Sequence, residues 1–455
     1  MTLAGAPPRS DYHAALAALE ARGRFGIRLG LGRTRALLRA LGDPQLAVRG
    51  ALVAGTNGKG SVLALAGSAL RAAGLRVGET PKPHLVSYRE RVVVDGRPIS
   101  AADLTRHVDA VLAVADRVAR RHGEPTEFEL LTAIVFRHFA EVGLDVALVE
   151  VGLGGRLDAT HAWDGGVAAI TNVDLDHMDR LGPTVTAIAR EKAAIIERGD
   201  LAVTGASGAA LAVIRRRARR LAVPLVEVGP APILASGRDG LRVELPRLGA
   251  VDVALRGRHQ AANLAVADAI LDALETAGIA AADDAARRRG YATATWPGRL
   301  ELLDLPGGAT VLLDGAHNPA GAAALAEALD DLWPSLGGPA GAPPTVMMAA
   351  MADKDVAGVI RALAASPVLR GATILATSLP ALARAMPAAE LAATWRREAP
   401  GLSSVAAVDD PLAALERALA ASAGGGTTIV AGSLYLVGLV RGRLVDDPAW
   451  RDPEP

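Results

Sequence analysis

The chain has 455 residues, room for about three domains of ordinary size or two large ones. Lys plus Arg and Asp plus Glu balance at 49 each, so the formal net charge is zero. That balance excludes a strongly basic, non-specific nucleic-acid binder and a charged disordered tail. Cysteine is absent, which excludes disulfide frameworks, thiolate zinc sites and a cysteine nucleophile.

Residues 1–19 carry Arg9, Asp11 and His13 where a secretory signal needs an unbroken apolar core, so no targeting segment is expected. Residues 51–54 predict a short strand running into a glycine loop, and 61–73 predict the helix behind that loop. Two more strands are predicted at 145–151 and 167–171, each ending in polar residues able to do chemistry. Residues 225–256 read as strands and turns. Pro297-Gly298, behind Trp296, marks a hinge, which divides the chain into domains 1–296 and 297–455.

Beyond the hinge the alternation restarts. Strands are predicted at 310–313, 345–351, 372–376, 404–408 and 428–431, with alanine-rich helices at 320–332 and 411–421. The longest uncharged stretch runs between Arg417 and Arg441, but Gly424, Gly425, Gly426, Thr427 and Thr428 break it. A helix, a loop and a buried strand are expected there instead of a membrane span. The whole pattern is that of a cytoplasmic α/β protein without nucleic-acid or membrane partners.

Only four of the basic residues are lysine: Lys59, Lys82, Lys192 and Lys354. Asparagine also occurs four times, at Asn57, Asn172, Asn263 and Asn318. Arginine is a permanently charged fork, whereas lysine is a compact amine that can lose its proton and react. In a chain that writes arginine almost everywhere, each lysine marks a candidate place where only the amine works.

The strongest motif is Gly55-Thr56-Asn57-Gly58-Lys59-Gly60-Ser61, set between the first predicted strand and helix. Glycines let backbone N–H groups wrap an anion at a helix N-terminus, and Lys59 adds a point charge for terminal phosphates. Ser61 or Thr56 can reach a metal or phosphate oxygen. Gly60 separates Lys59 from the hydroxyl, so the usual phosphate-loop pattern is matched imperfectly.

This heptapeptide resembles the folylpolyglutamate synthase/dihydrofolate synthase family of the Mur ligase superfamily. The likeness runs nearly end to end. It takes in Leu29-Gly30-Leu31, Thr126-Glu127-Phe128-Glu129, the run from Glu150 to Thr160, Leu175-Asp176-His177 and Glu191-Lys192-Ala193. It continues through Gly257-Arg258-His259-Gln260 with Asn263, Trp296-Pro297-Gly298-Arg299, Asp314-Gly315-Ala316-His317-Asn318-Pro319, Asp353-Lys354-Asp355 and Gly432-Ser433-Leu434-Tyr435. The resemblance implies a large N-terminal phosphate-loop ATPase domain of Mur-ligase type and a smaller C-terminal Rossmann-like α/β domain.

It also implies an ATP-dependent amide ligase, a monomer, that adds L-glutamate to dihydropteroate or to the γ-carboxylate of a folate through an acyl phosphate. ATP and two Mg²⁺ ions would be bound. Ser61, Glu150, His177 and a carbamylated Lys192 would serve the metal. Asn263, with His259 and Gln260 nearby, would face adenine, and Arg299, Asp314 and His317 would close on ATP. Thr126, Phe128 and Asp158 would contact the pterin, and Ser433 and Tyr435 the incoming glutamate. Lys59, Lys192, His177 and His317 are the catalytic candidates.

One segment departs from the family. Relatives usually read Tyr-Thr-Ser-Pro-His-Leu where this chain has Thr80-Pro81-Lys82-Pro83-His84-Leu85, so Lys82 stands at a serine position that ligates magnesium. An ammonium has no lone pair for a metal. Lys82 is therefore expected on the γ-phosphate or the acyl phosphate. Two other readings remain open on sequence alone: a Mur-type ligase of cell-wall precursors, and a nucleotide-dependent switch without ligase activity.

Overall fold

The computed structural model describes residues 11–25, 28–336 and 342–454, which leaves Arg9 outside. Contacts divide the chain into two compact units. The first holds residues up to Pro230, Ala262–Tyr291 and the chain end after Asp447; the second holds Ala231–Ala261 and Ala292–Asp447. By contact the units thus interleave along the chain, where the sequence suggests one cut at 296/297. The segment after Pro230 groups with the second unit because Ser236 Oγ and Arg258 Nε bind the Asp331 carboxylate, at 2.9 and 2.8 Å. The chain end groups with the first unit because the Asp452 carboxylate accepts Tyr12 and Ser87 hydroxyls at 2.5 Å each.

In the first unit the strands are β1 (Gly50–Ala54), β2 (Val77–Thr80), β3 (Val93–Val94), β4 (Arg97–Pro98), β5 (Val146–Glu150), β6 (Gly166–Ile170), β7 (Leu201–Thr204) and β8 (Leu225–Glu227). They form one sheet in the order β4-β3-β2-β5-β1-β6-β7-β8. The six strands from β2 to β8 in that order are parallel, and β3 and β4 close one edge antiparallel. Every residue of β1 and β5 is buried, which fits the apolar runs of Gly50–Ala54 and 146–149 and a sheet covered on both faces. β1 lies between β5 and β6, so the chain reverses its direction of winding there. Such a switch point opens a crevice at the carboxyl ends of the strands, where α/β sheets bind ligands.

Two helices without a strand between them, Ala101–His122 and Glu127–Val142, pack together through a buried histidine pair. Arg137 donates to His107 Nδ1 at 2.6 Å, and His107 Nε2 lies 3.1 Å from His138 Nδ1. Arginine cannot accept, so His107 keeps its proton on Nε2 and donates it to His138. Burial, the neighbouring ring and Arg137 hold His107 far below the usual histidine range. Burial pushes His138 down to about 4 against the pull of Asp103 and Glu141, with Arg106 and Arg76 adding to the fall.

Both rings are therefore neutral when folded, and the unfolded chain binds more protons below about pH 6.5. Their contribution is complete above that pH and is lost as pH falls towards 4. We expect His138→Gln to flatten the slope of urea-unfolding free energy against pH between 6 and 4.5 by about one proton, ~1.4 kcal/mol per pH unit. Unchanged slopes would show that the pair is not neutral in the folded chain.

The helices Gln260–Thr276 and Asp284–Thr293, which lie in the same unit from Ala262 to Tyr291, are joined by the fully buried Arg287. Its guanidinium meets Asp268 at 2.9 Å and Asp272 at 2.7 Å, and Tyr291 donates to Asp268 at 2.7 Å. Gly290 lies against the helix Lys59–Ala72, where a Cβ would stand 2.4 Å from the Ala69 backbone. Helix propensity alone favours alanine there by about 1 kcal/mol. Packing reverses the sign, and Gly290→Ala is expected to lower stability by ~1–3 kcal/mol in thermal or urea unfolding. A stabilised variant would contradict this packing.

In the second unit, β9 (Ile233–Gly237), β10 (Gly240–Leu245) and β11 (Gly249–Val253) form an antiparallel sheet. A second sheet comprises β12 (Glu301–Asp304), β13 (Thr310–Leu313), β14 (Thr345–Met348), β15 (Thr373–Thr377), β16 (Ser404–Val408) and β17 (Thr427–Ala431). Its order is β12-β13-β17-β14-β15-β16, with only β12 antiparallel. The uncharged stretch before Arg441 contains the end of a helix, Pro411–Ala421, then a glycine loop and the fully buried β17. Among the described residues no helix is long and apolar enough to cross a membrane.

Candidate active site

The glycine loop sits at the carboxyl end of β1, at the switch point, with the ends of β5 and β6 on either side. Its shape demands glycine twice. Gly55 has φ +159° and a Cβ there would lie 1.9 Å from Thr171 Oγ1; Gly58 has φ +81° and its Cβ would lie 2.2 Å from Asn263 Oδ1. The loop is braced from the end of β6. Thr171 donates to the Asn57 carbonyl at 2.6 Å, and Asn172 accepts the Asn57 N–H at 2.9 Å. Thr56 N–H donates to the Asn172 carbonyl at 3.1 Å, and Thr56 Oγ1 accepts from Asp174 N–H at 3.0 Å. Three of the four asparagines thus hold or flank one loop.

Three of the four lysines meet at the same place. Lys59 Nζ donates to the Gly55 and Thr56 carbonyls, both at 3.1 Å, and Lys192 Nζ donates to the same Gly55 carbonyl at 2.8 Å. Lys59 also lies 3.8 Å from Glu150 Oε1 at the end of β5. Lys82 completes the group: its N–H donates to Glu150 Oε2 at 2.9 Å and its ammonium to the Glu150 carbonyl. Clustered ammonium groups around one buried carboxylate make a site for anions.

The local environment separates these amines. Burial brings Lys192 down to about 7, with Lys59 adding to the fall against Asp176 and Asp158. Burial brings Lys82 down to about 8, despite the opposing pull of Asp158 and Glu150. Lys192 is therefore part-neutral near pH 7, the state in which an amine is nucleophilic.

On the other side of Lys82 lies the segment expected to contact substrate. Its Nζ stands 5.0 Å from the centre of the Phe128 ring. Asp158 is spent largely on its own loop, accepting from Leu153 N–H at 2.8 Å, Thr160 N–H at 3.0 Å and the Thr160 hydroxyl at 2.5 Å. Thr126 is the N-cap of the helix Glu127–Val142, closed reciprocally by Glu129. A Cβ on Gly152 would meet Phe128 Cζ at 2.8 Å and Asp158 Oδ2 at 3.1 Å, so only glycine fits between them.

The donor set suits magnesium in part. Glu150 and Ser61 are buried hard-oxygen residues, and the hydroxyl of Thr80, at the end of β2, is buried without a hydrogen-bond partner among the described residues. His177 takes a left-handed conformation (φ +49°) before a short helix, half-exposed and 3.8 Å from Asp176. Among the described residues no three His, Asp or Glu side chains gather tightly enough to hold a metal alone.

The second unit carries its own predicted residues at the carboxyl ends of β13 and β17. Asp314 accepts from Leu300 N–H at 2.9 Å and Ala316 N–H at 2.8 Å, locking the turn that follows Arg299. Arg299 donates to the Gly298 carbonyl at 3.1 Å, and His317 Nδ1 lies 2.8 Å from the Gly315 carbonyl. Ser433 caps the helix Leu434–Leu444, on which Tyr435 is exposed. His259 groups with this unit, its Nδ1 buried without a hydrogen-bond partner among the described residues.

Sequence reasoning passed over the bracing role of Thr171 and Asn172 and the unpaired Thr80. The scarcity of asparagine is a signal for Asn172, whereas nothing in one sequence marks a threonine.

The family description "Mur ligase middle domain" matches residues 53–271, and "Mur ligase, glutamate ligase domain" matches 298–434. The dihydrofolate synthase/folylpolyglutamate synthase of Bacillus subtilis is 36% identical over 363 residues, 77% of this chain and 82% of its own length. The chain belongs to the dihydrofolate synthase/folylpolyglutamate synthase family. It is an ATP-dependent ligase. Its fold is similar to that of Mycobacterium tuberculosis folylpolyglutamate synthase complexed with ADP and AMPPCP, with TM-score 0.83, 32% identity and coverage of 96% and 100%. Escherichia coli FolC in complex with DHPP and ADP gives TM-score 0.79 at 28% identity, covering 96% and 99%. The two-domain α/β architecture expected from the sequence is the one found.

Proposed function

We propose that this ligase joins the amino group of L-glutamate to the carboxylate of dihydropteroate, to the γ-carboxylate of a folate, or to both, as a cytoplasmic monomer. The observation that carries the reading is the meeting of Lys59, Lys82 and Lys192 around Gly55 and Glu150. The loop N–H groups of Gly55–Ser61 and the Lys59 ammonium cradle the ATP phosphates. An oxygen of the acceptor carboxylate bonds to the γ-phosphorus as the bond to the ADP oxygen breaks. The glutamate nitrogen then attacks the acyl carbon, gives up a proton, and inorganic phosphate leaves. Magnesium supplies charge screening for the phosphates; Ser61, Glu150, His177 and a carbamylated Lys192 are the residues that would hold it.

Residues 1–296 serve in this reading as the ATP-binding module and 297–455 as the glutamate-ligase module, in keeping with the two family matches. Asn263, Arg299, Asp314 and His317 are the further nucleotide contacts. Thr126, Phe128 and Asp158 serve the pterin, and Ser433 and Tyr435 the glutamate. Support for the substrate class comes from the names and bound molecules of the relatives. The test runs ATP and radiolabelled glutamate with dihydropteroate and with tetrahydrofolate side by side. Labelled folate with equimolar ADP is expected from at least one acceptor. Acceptor-independent ADP release, or none, would overturn the reading.

A further inference from the structure

We propose that Lys82 binds the reacting carboxylate of the acceptor, holding it between the nucleotide loop and the aromatic wall of the substrate side. The inference rests on the ligase reading above and adds a residue with a defined role in acceptor recognition. Lys82 is the link between the two halves of the site. Through its backbone and side chain it touches Glu150, which lies 3.8 Å from the phosphate-loop lysine, Lys59. The same ammonium stands 5.0 Å from the Phe128 ring centre. An acceptor whose ring system lies along Phe128 and whose carboxylate must reach a γ-phosphate at Lys59 passes this ammonium.

The chemistry needs a cation there. Two anions, a carboxylate and a phosphate, must come into bonding contact, and their repulsion falls only if positive charge is fixed beside the nucleophile. Lys59 is occupied with the Gly55 and Thr56 carbonyls and faces the phosphate loop. Lys192 is bound to Gly55 and buried. Lys82 spends one N–H on the Glu150 carbonyl, and its other N–H groups have no hydrogen-bond partner among the described residues. The two prolines flanking it, Pro81 and Pro83, restrict the backbone that carries Lys82. Gly152 packs directly against the Phe128 ring and the Asp158 carboxylate, which fixes the position of the ring facing Lys82.

The test compares binding of pteroate with binding of its neutral carboxamide, without nucleotide, to the full-length wild type and to Lys82→Met, Lys82→Gln and Lys82→Arg. A charge-assisted contact predicts that wild type prefers pteroate over the amide by about 10–100-fold. Lys82→Met and Lys82→Gln should bring that ratio close to one, with amide affinity and ATP affinity each within about threefold of wild type, while Lys82→Arg keeps part of the preference. An unchanged ratio in the methionine variant overturns the proposal. So does an equal loss for both ligands, the mark of a mere prop for Glu150, or a loss confined to ATP, the mark of a phosphate contact. If wild type binds neither pteroate nor tetrahydrofolate, the substrate reading itself falls and this inference with it. If wild type binds both and Lys82→Met is unaltered, only this inference falls.

Discussion

Lys59→Ala is expected to abolish measurable ligation while leaving the chain folded. The ammonium stands at the N-terminus of the helix Lys59–Ala72, inside the curve of the glycine loop, with the Gly55 and Thr56 carbonyls at 3.1 Å. When a nucleotide is bound, that charge faces phosphate oxygens whose negative charge shifts as the phosphoryl group transfers. Losing one preorganised donor to such charge costs ~3–4 kcal/mol, or about 10²–10³ in kcat. The chain is expected to stay folded because the loop remains braced by Thr171 and Asn172, and Glu150 keeps the Lys82 N–H as a donor. Single-turnover ADP formation and thermal unfolding, measured on one preparation, separate the two effects. Near-normal turnover would remove the phosphate-loop assignment, and a collapsed unfolding transition would move Lys59 from chemistry to structure.

The parts of this fold that were legible in the sequence are those in which one local signal dominates. β1 and β5 are buried on both faces, so their apolar runs stand out, and 51–54 and 145–151 fall within about a residue of the observed strands at each end. The strand predicted at 345–351 ends earlier, at Met348, because Ala349 and Ala350 continue the apolar run after pairing with β15 and β17 has stopped. The interleaving of the units was not legible. Nothing between Pro230 and Ala261 announces that its hairpins pack on a helix a hundred residues further on, since the decisive partner of Ser236 and Arg258 is a single aspartate, Asp331.

The candidate site divides in the same manner. Scarcity marked the lysines and asparagines, and the fold gathers three of each. Thr126, Asp158, Asp314 and Ser433 were marked by motif, and in the structure their side chains are bound to local backbone N–H groups. Such residues shape the walls of a site by fixing turns and helix starts, a job that motif reading does not distinguish from substrate contact.

Lys192 carries the other large expected effect. Its amine is buried and brought down to about 7, chiefly by desolvation, so a substantial fraction is neutral at physiological pH. A neutral primary amine adds carbon dioxide with loss of a proton, giving a carbamate that is anionic and offers hard oxygens to a metal. The carbamate nitrogen retains one hydrogen, so the 2.8 Å bond to the Gly55 carbonyl can persist after the addition. An arginine cannot follow this path, because its guanidinium stays protonated and offers no nucleophilic nitrogen. Lys192→Ala is therefore expected to lose at least about 10²-fold in kcat, in line with removal of a second-anion ligand at a phosphate site, and to regain part of it with millimolar acetate or propionate. Lys192→Arg is expected to stay inactive with or without those acids. A carbamate signal from wild type equilibrated with ¹³C-labelled bicarbonate, absent from Lys192→Ala, provides a readout independent of turnover. Full activity in Lys192→Arg, or no labelled carbamate in active wild type, would leave Lys192 as a buried brace of the Gly55 carbonyl.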